Sequence, residues 1–466
     1  MVNVIAELSK YLILTLMLLY TFQFFHILTI ENIEDQKMVM LSQMMLTFFM
    51  DSVAFAVIYL KTREFEVIIF YMEVLLLFTV IQVLYRLVYK EASILLINNM
   101  CMLLSVGFIM LARLDMDKAQ RQLMIVAAVS AVSFVVPFLI RKMKFLRKLT
   151  WVYAGVGVVL LAAVLVLART TYGAKLSLMG VQPSEAIKLT FVFFLAALMW
   201  KNADFKTIVK ATIVAGLHVG ILVLSTDLGS AVIFFVTYVV MVYVASKKLR
   251  YVFLGVAGGS VAAVIAYHLF YHVQQRVLIW QDPILSYDEG GYQIAQSLFG
   301  IGTGGWFGMG LCQGNPEVIP VVTNDFIFAA ICEELGGIFG VCLILVCMSF
   351  FLLIVNIALQ IKNPFYKLIA LGLGTEYAFQ VFLTIGGGTK FIPLTGVTLP
   401  LVSYGGSSVM STLLMLAVIQ GLYILREDED EEIERYRQEA AKKAGQGAER
   451  NRKVPKKETA RPKQRV

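Results

Sequence analysis

The chain has 466 residues, 59% of them apolar and 15% charged, and a formal net charge of +8. Soluble domains average roughly 45–50% apolar and 25% charged residues, so this composition excludes a soluble enzyme. The basicity needs no nucleic-acid partner, because polytopic proteins collect Lys and Arg in cytoplasmic loops. About 275 apolar residues (59% of 466) would fill about thirteen bilayer-spanning helices of about 20 residues each. Runs bounded by charge or turn residues fall at about 11–30, 38–60, 66–88, 93–112, 122–140, 150–168, 185–200, 207–225, 229–246, 250–271, 327–358, 366–386 and 408–425. In lipid each span must satisfy its own backbone hydrogen bonds, so uninterrupted runs of this length predict an all-α, polytopic transmembrane helix bundle rather than a barrel. The first run is too long for a signal-peptide core and no small-residue cleavage site follows it, so it reads as a retained span.

The most basic short loop, Arg141–Lys148, is expected to be cytoplasmic. Counting forward from it puts Lys247-Lys248-Leu249-Arg250 and the C-terminal tail on the same side. Segments 169–184, 272–325 and 387–407 and the N-terminus then fall outside. From Arg426 the composition changes to an acidic run, Glu427–Glu432, followed by scattered Lys, Arg, Gln, Gly and Pro. Residues 426–466 therefore read as a charged cytoplasmic tail, largely disordered, that either solubilises the chain or docks on lipid headgroups. Neither a solenoid repeat nor the similarity between halves seen in inverted-repeat transporters is evident.

Among the motifs, Gly300-Ile301-Gly302-Thr303-Gly304-Gly305 matches the dinucleotide pattern without a surrounding βαβ unit. The stretch Gly290–Gly314 reads instead as a close-packed loop and candidate substrate floor. Five cysteines form no CxxC pair and indicate no disulfide framework or metal cluster. His268 and His272, four apart on an expected helix, lack the acidic partner of a zinc motif. Ionisable residues inside or at the edge of spans carry more information, since a charge at bilayer depth persists only if paired or facing water. Glu185 and Lys188 share a helical face, Asp227 sits at a break between spans, and Glu333-Glu334 enter a span. They form either an ion-pair network or a polar cavity for a charged headgroup. Asp325, where an exposed segment turns into an apolar helix, is either a half-desolvated general base or a helix N-cap.

Four blocks in order carry a resemblance: Gln182-Pro183-Ser184-Glu185 with Lys188; Asp227-Leu228-Gly229; Asp282-Pro283 through Gly291-Tyr292-Gln293 and Gln296-Ser297 to Asp325-Phe326-Ile327-Phe328 and Glu333-Glu334-Leu335-Gly336; and Pro393-Leu394-Thr395-Gly396 through Leu399-Pro400-Leu401-Val402-Ser403-Tyr404-Gly405-Gly406-Ser407-Ser408. The chain resembles the SEDS family of cell-wall polymerases, whose members include FtsW, RodA and SpoVE. The similarity covers about 93–425 and implies a ten-helix catalytic core, leaving 1–92 as an extra module of about three helices. It implies a membrane peptidoglycan glycosyltransferase that polymerises lipid II outside the cytoplasmic membrane in elongation, division or sporulation, with a class B penicillin-binding protein as partner. Asp325 takes the catalytic position. Lys188, Arg276 and Lys390 are candidates for positive charge at a pyrophosphate leaving group, directly or through a divalent cation (Mg or Mn). Glu185, Asp227, Gln293, Glu334 and Ser403 are candidates for substrate or cavity contacts. The chain departs from the family pattern at Ile319–Asn324, at Ser225-Thr226 and at Lys390. A lipid-linked precursor transporter and a non-catalytic scaffold remain as rival readings.

Overall fold

Helix α1 (Val2–Ile27), α2 (Ile33–Thr62) and α3 (Glu66–Val88) precede α4 (Ile94–Leu114), α5 (Met116–Ser133), α6 (Val136–Lys142), α7 (Thr150–Leu167), α8 (Pro183–Met199), α9 (Phe205–Leu224), α10 (Leu228–Ser246) and α11 (Leu249–Leu269). Three shorter helices follow, α12 (Tyr271–Gln281), α13 (Tyr292–Gly304) and α14 (Ile327–Leu335). The long α15 (Gly337–Gln360), α16 (Pro364–Gly388) and α17 (Gly406–Arg426) complete the chain. This computed structural model describes residues 2–143, 145–168 and 181–426. Most of the expected 169–184 segment and the charged tail beyond Arg426 lie outside them.

Among the described residues twelve helices, counting α5 with α6 as one, are long and apolar enough to cross a bilayer. The 17-residue α8 falls one residue short of that length, so one of the thirteen expected runs is not among the twelve. The protein is a multi-pass membrane protein, an all-α bundle with no β-strand among the described residues. Local chemistry starts the helices where the apolar runs begin. Asn32, Ser93, Asp115, Asp204, Asp227 and Asn363 each accept an amide of the first turn of α2, α4, α5, α9, α10 and α16, satisfying donors that have no partner within the helix. The bundle centres on α4, the most buried span, whereas α11 has no buried residue and lies at the edge.

Four sequence expectations are corrected. The apolar run 327–358 is two helices, because Gly336 adopts φ +93° and a Cβ there would stand 2.5 Å from the Gly308 nitrogen. The run at 122–140 starts earlier, at Met116, and breaks before α6 with Pro137 in its first turn. Much of the Gly290–Gly314 stretch is helix α13 rather than loop. His268 and His272 do not share a helix, since Phe270 between them is extended (φ −114°, ψ 113°).

Helices α1 to α3 pack on α4 and α15 through apolar surface and through polar joints within the bilayer region. Tyr20 donates to Asn99 (2.8 Å), which donates to Ser349 (3.5 Å). Gln82 donates to Asn98 (2.8 Å), and Asn98 in turn to the Met40 carbonyl (2.8 Å). Ser105 donates to the Asp51 carboxylate. Such interhelical bonds contribute about 0.6–2 kcal/mol each and favour one packing register, because an orphaned polar group in hydrocarbon is costly.

Candidate active site

One end of the bundle carries the long connections: residues 270–336, between α11 and α15, and residues 389–405, between α16 and α17. Asp325 lies here, half-buried, just before α14. The N-cap position of that helix is Phe326 and has no side-chain capping bond, so Asp325 is not the cap. Its carboxylate accepts no hydrogen bond from the described residues. The backbone around it is fixed by the 389–405 loop. Tyr404 donates its amide to the Thr323 carbonyl (2.8 Å), and Asn324 donates to the Tyr404 carbonyl (3.0 Å). The Ser403 hydroxyl donates to the Asn324 carbonyl (2.5 Å) and accepts the Leu399 amide (2.9 Å). Gln122 of α5 clamps the far side, donating to the Ser403 carbonyl (2.8 Å) and accepting the Gly405 amide (3.1 Å). Ser403, 1% exposed, therefore positions this loop rather than lining open space.

The nearest cation comes from α12. Arg276 donates to the carbonyls of Leu394 and Thr395, both at 3.1 Å, and Trp280, one turn on, donates to the Lys390 carbonyl at 3.1 Å. The next residue of that loop, Gly396, abuts the acid: a Cβ there would stand 3.9 Å from Asp325 Oδ2. Burial pushes the Asp325 carboxyl up to about 6, and the Arg276 guanidinium opposes the rise. Burial pulls Arg276 down while Asp227 and Asp325 hold it up. One guanidinium thus sits in the field of two carboxylates. Asp227, which caps α10, accepts the Ser230 amide (3.1 Å), the Ser184 hydroxyl (3.0 Å) and the Gln182 amide group (3.4 Å).

The other sequence candidates divide by place. Lys188 pairs with Glu185 at 2.7 Å and donates to Gln380 at 2.6 Å, while Ser411 donates to Glu185 at 3.2 Å. With Lys188 at 3% and Glu185 at 5% exposure, this is a buried ion pair bridging α8, α16 and α17. Glu334, fully buried, accepts Arg113 Nε at 3.0 Å and the Cys312 amide at 3.1 Å. It braces the segment before Asp325. Gln293 is half-buried on α13 one turn before Ser297, which donates to the Gly388 carbonyl (2.7 Å) beside the Asp325 backbone. Lys390 follows the end of α16, on the same loop that Arg276 and Trp280 hold. Sequence reasoning missed Arg113, Gln122, Asn324 and Gln380. Arg113 alone left a trace, as a charge closing an apolar run. Among the described residues no three His, Cys, Asp or Glu gather as a metal site.

Residues 85–427 match the model of a family described as cell cycle protein, FtsW/RodA/SpoVE. The chain belongs to that family. It is 34% identical over 362 residues to a protein of Mycobacterium tuberculosis named peptidoglycan glycosyltransferase RodA, covering 70% of this chain and 76% of that relative. It is 36% identical over 250 residues to stage V sporulation protein E of Bacillus subtilis, covering 51% and 67%. Among solved structures, a chain from a study of polymerisation and crosslinking by a peptidoglycan synthase complex aligns with TM-score 0.62 and 26% identity, over 72% of this chain and 98% of that one. Thermus thermophilus RodA shares the fold, with TM-score 0.54 and 23% identity over 72% and 97%. The matched region begins near the end of α3, so most of the first three helices lie outside it.

Proposed function

We propose that this FtsW/RodA/SpoVE family member is a peptidoglycan glycosyltransferase that joins lipid II units into glycan strands, with Asp325 as general base. The observation that carries the reading is a half-buried carboxylate that accepts no hydrogen bond from the described residues, at a bundle end, in the field of Arg276. The acceptor sugar's 4-hydroxyl gives its proton to Asp325 as its oxygen bonds the donor's anomeric carbon. The bond from that carbon to pyrophosphate breaks, and its electron pair leaves with the polyprenyl pyrophosphate. A single displacement at an α-linked donor inverts it to a β-1,4 linkage and needs one base, unlike the paired carboxylates of hydrolases. Arg276 supplies positive charge near the reacting groups, where a desolvated site strengthens it, and Lys390 lies on the same loop. A divalent cation at the pyrophosphate would add charge that these side chains do not organise alone.

We place the Asp325 end outside the cytoplasmic membrane and the C-terminus inside, from the basic Arg141–Lys148 loop at the opposite end. The synthase-complex relative supports a class B penicillin-binding protein as partner. Vesicles reconstituted with the full chain and given lipid II only on the Asp325 side test the activity. Polymer formed there supports the enzyme. Lipid II carried across without polymer supports the transporter instead.

A further inference from the structure

Helix α1 lies outside the family match, yet its first turns reach the same bundle end as the site. Lys10, 8% exposed, pairs with Glu7 at 2.6 Å and donates to the Gly308 carbonyl at 3.1 Å. The Tyr11 ring lies 6.0 Å from the Phe307 ring, and a Cβ on Gly310 would stand 3.4 Å from the Ala6 carbonyl oxygen. Ala6 and Lys10, one turn apart, thus meet residues 308–310 from one helix face. A poorly exposed ammonium near the bilayer persists only where it is paired.

The segment that Lys10 grips is bonded to α14 and α15. Met309 and Gly310 donate their amides to the carbonyls of Glu333 (2.9 Å) and Glu334 (2.8 Å), and Gly337 and Ile338 donate to those of Gly305 (2.8 Å) and Trp306 (3.1 Å). Gly308 has φ +78°, and a Cβ there would stand 2.3 Å from the Glu334 carbonyl oxygen, so the two backbones lie in direct contact. From the core side, Arg113 binds Glu334 at 3.0 Å and Glu317 at 2.6 Å. Helix α14, nine residues or about 13 Å long, runs from this junction to Ile327, two residues after Asp325. Fixing one end of so short a rod fixes the other.

We propose that α1 braces the catalytic face and that Lys10 is a positioning residue: by holding Gly308 it fixes the far end of α14 and so the placement of Asp325. This rests on the reading of Asp325 as the base. It gives α1, which lies outside the family match, a role in turnover beside the hold that Arg113 has on the same junction from the core.

The test uses the full chain in liposomes with purified lipid II. Lys10→Met keeps the apolar stem and removes the donor, while Lys10→Arg keeps a donor. Lys10→Met should lower kcat roughly tenfold, as misplacement remote from the chemistry does, with KM within about twofold. Lys10→Arg should restore most of the rate. Amide hydrogen exchange across 305–317 should accelerate in Lys10→Met, while the acidic limb of the pH profile stays where it is in the parent, because the base is untouched. Should Lys10→Met fail to accumulate, Lys10→Gln, neutral and shorter, is read the same way. An unchanged kcat, an unchanged exchange rate in 305–317, or an equal loss in Lys10→Arg overturns the proposal. If Asp325→Asn remains active while Lys10→Met still slows turnover and loosens 305–317, the assignment of the base fails and the brace stands.

Discussion

Asp227 and Asp325 both act on Arg276, but their surroundings suit them to different work. Asp227 accepts three donors and caps a helix, so its carboxylate oxygens are committed to holding Ser184, Gln182 and the first turn of α10. Asp325 accepts none from the described residues, and burial raises it to about 6, which suits it to accept a proton near neutrality. Only the ionised carboxylate can take a proton, so the polymerisation rate should fall as pH drops through about 6 and level off above it. A pH–rate profile on lipid II checks this, and a rate that rises on acidification contradicts it. Arg276 lowers the Asp325 value. In Arg276→Met the acid becomes harder to ionise, so the acidic limb should move to higher pH and the rate at pH 7 should drop. A limb that stays in place or moves down would dissociate the two residues.

At the scale of elements, α8, α16 and α17 are joined in the bilayer by Lys188, Glu185, Gln380 and Ser411. Removing one member of a buried ion pair leaves an uncompensated charge and costs about 3–5 kcal/mol, whereas removing both charges is far milder. Lys188→Met should therefore lower unfolding stability in detergent by about 3–5 kcal/mol, and Glu185→Gln with Lys188→Met should recover most of it. A double variant no more stable than Lys188→Met would count against a structural pair. The helices themselves were legible because length and apolarity are local properties. The break at Gly336 was not, since it depends on the backbone of Gly308 in a different segment. Nor were the partners: Arg113 meets Glu334 across 221 residues and Lys188 meets Gln380 across 192, separations that leave no periodic trace. Sequence position therefore marked Lys188 as a charge needing a partner but could not name Gln380 as one of its partners.

For the whole molecule, a bundle sealed by polar joints within the bilayer presents its long connections at one end, and those connections hold each other in place. The 389–405 loop fixes the backbone before Asp325 through Tyr404 and Ser403 and receives Arg276 at Leu394 and Thr395. This convergence of segments far apart in the chain sets the acid beside the cation, and residue pattern alone located the acid but not its setting. The most direct test is a glycan-chain assay on fluorescent lipid II comparing the full-length parent with Asp325→Asn, each checked for an unchanged unfolding transition. The variant should fold normally and polymerise roughly 10²- to 10⁴-fold more slowly, the share contributed by a positioned base; strands made at the parental rate would contradict the role assigned to Asp325.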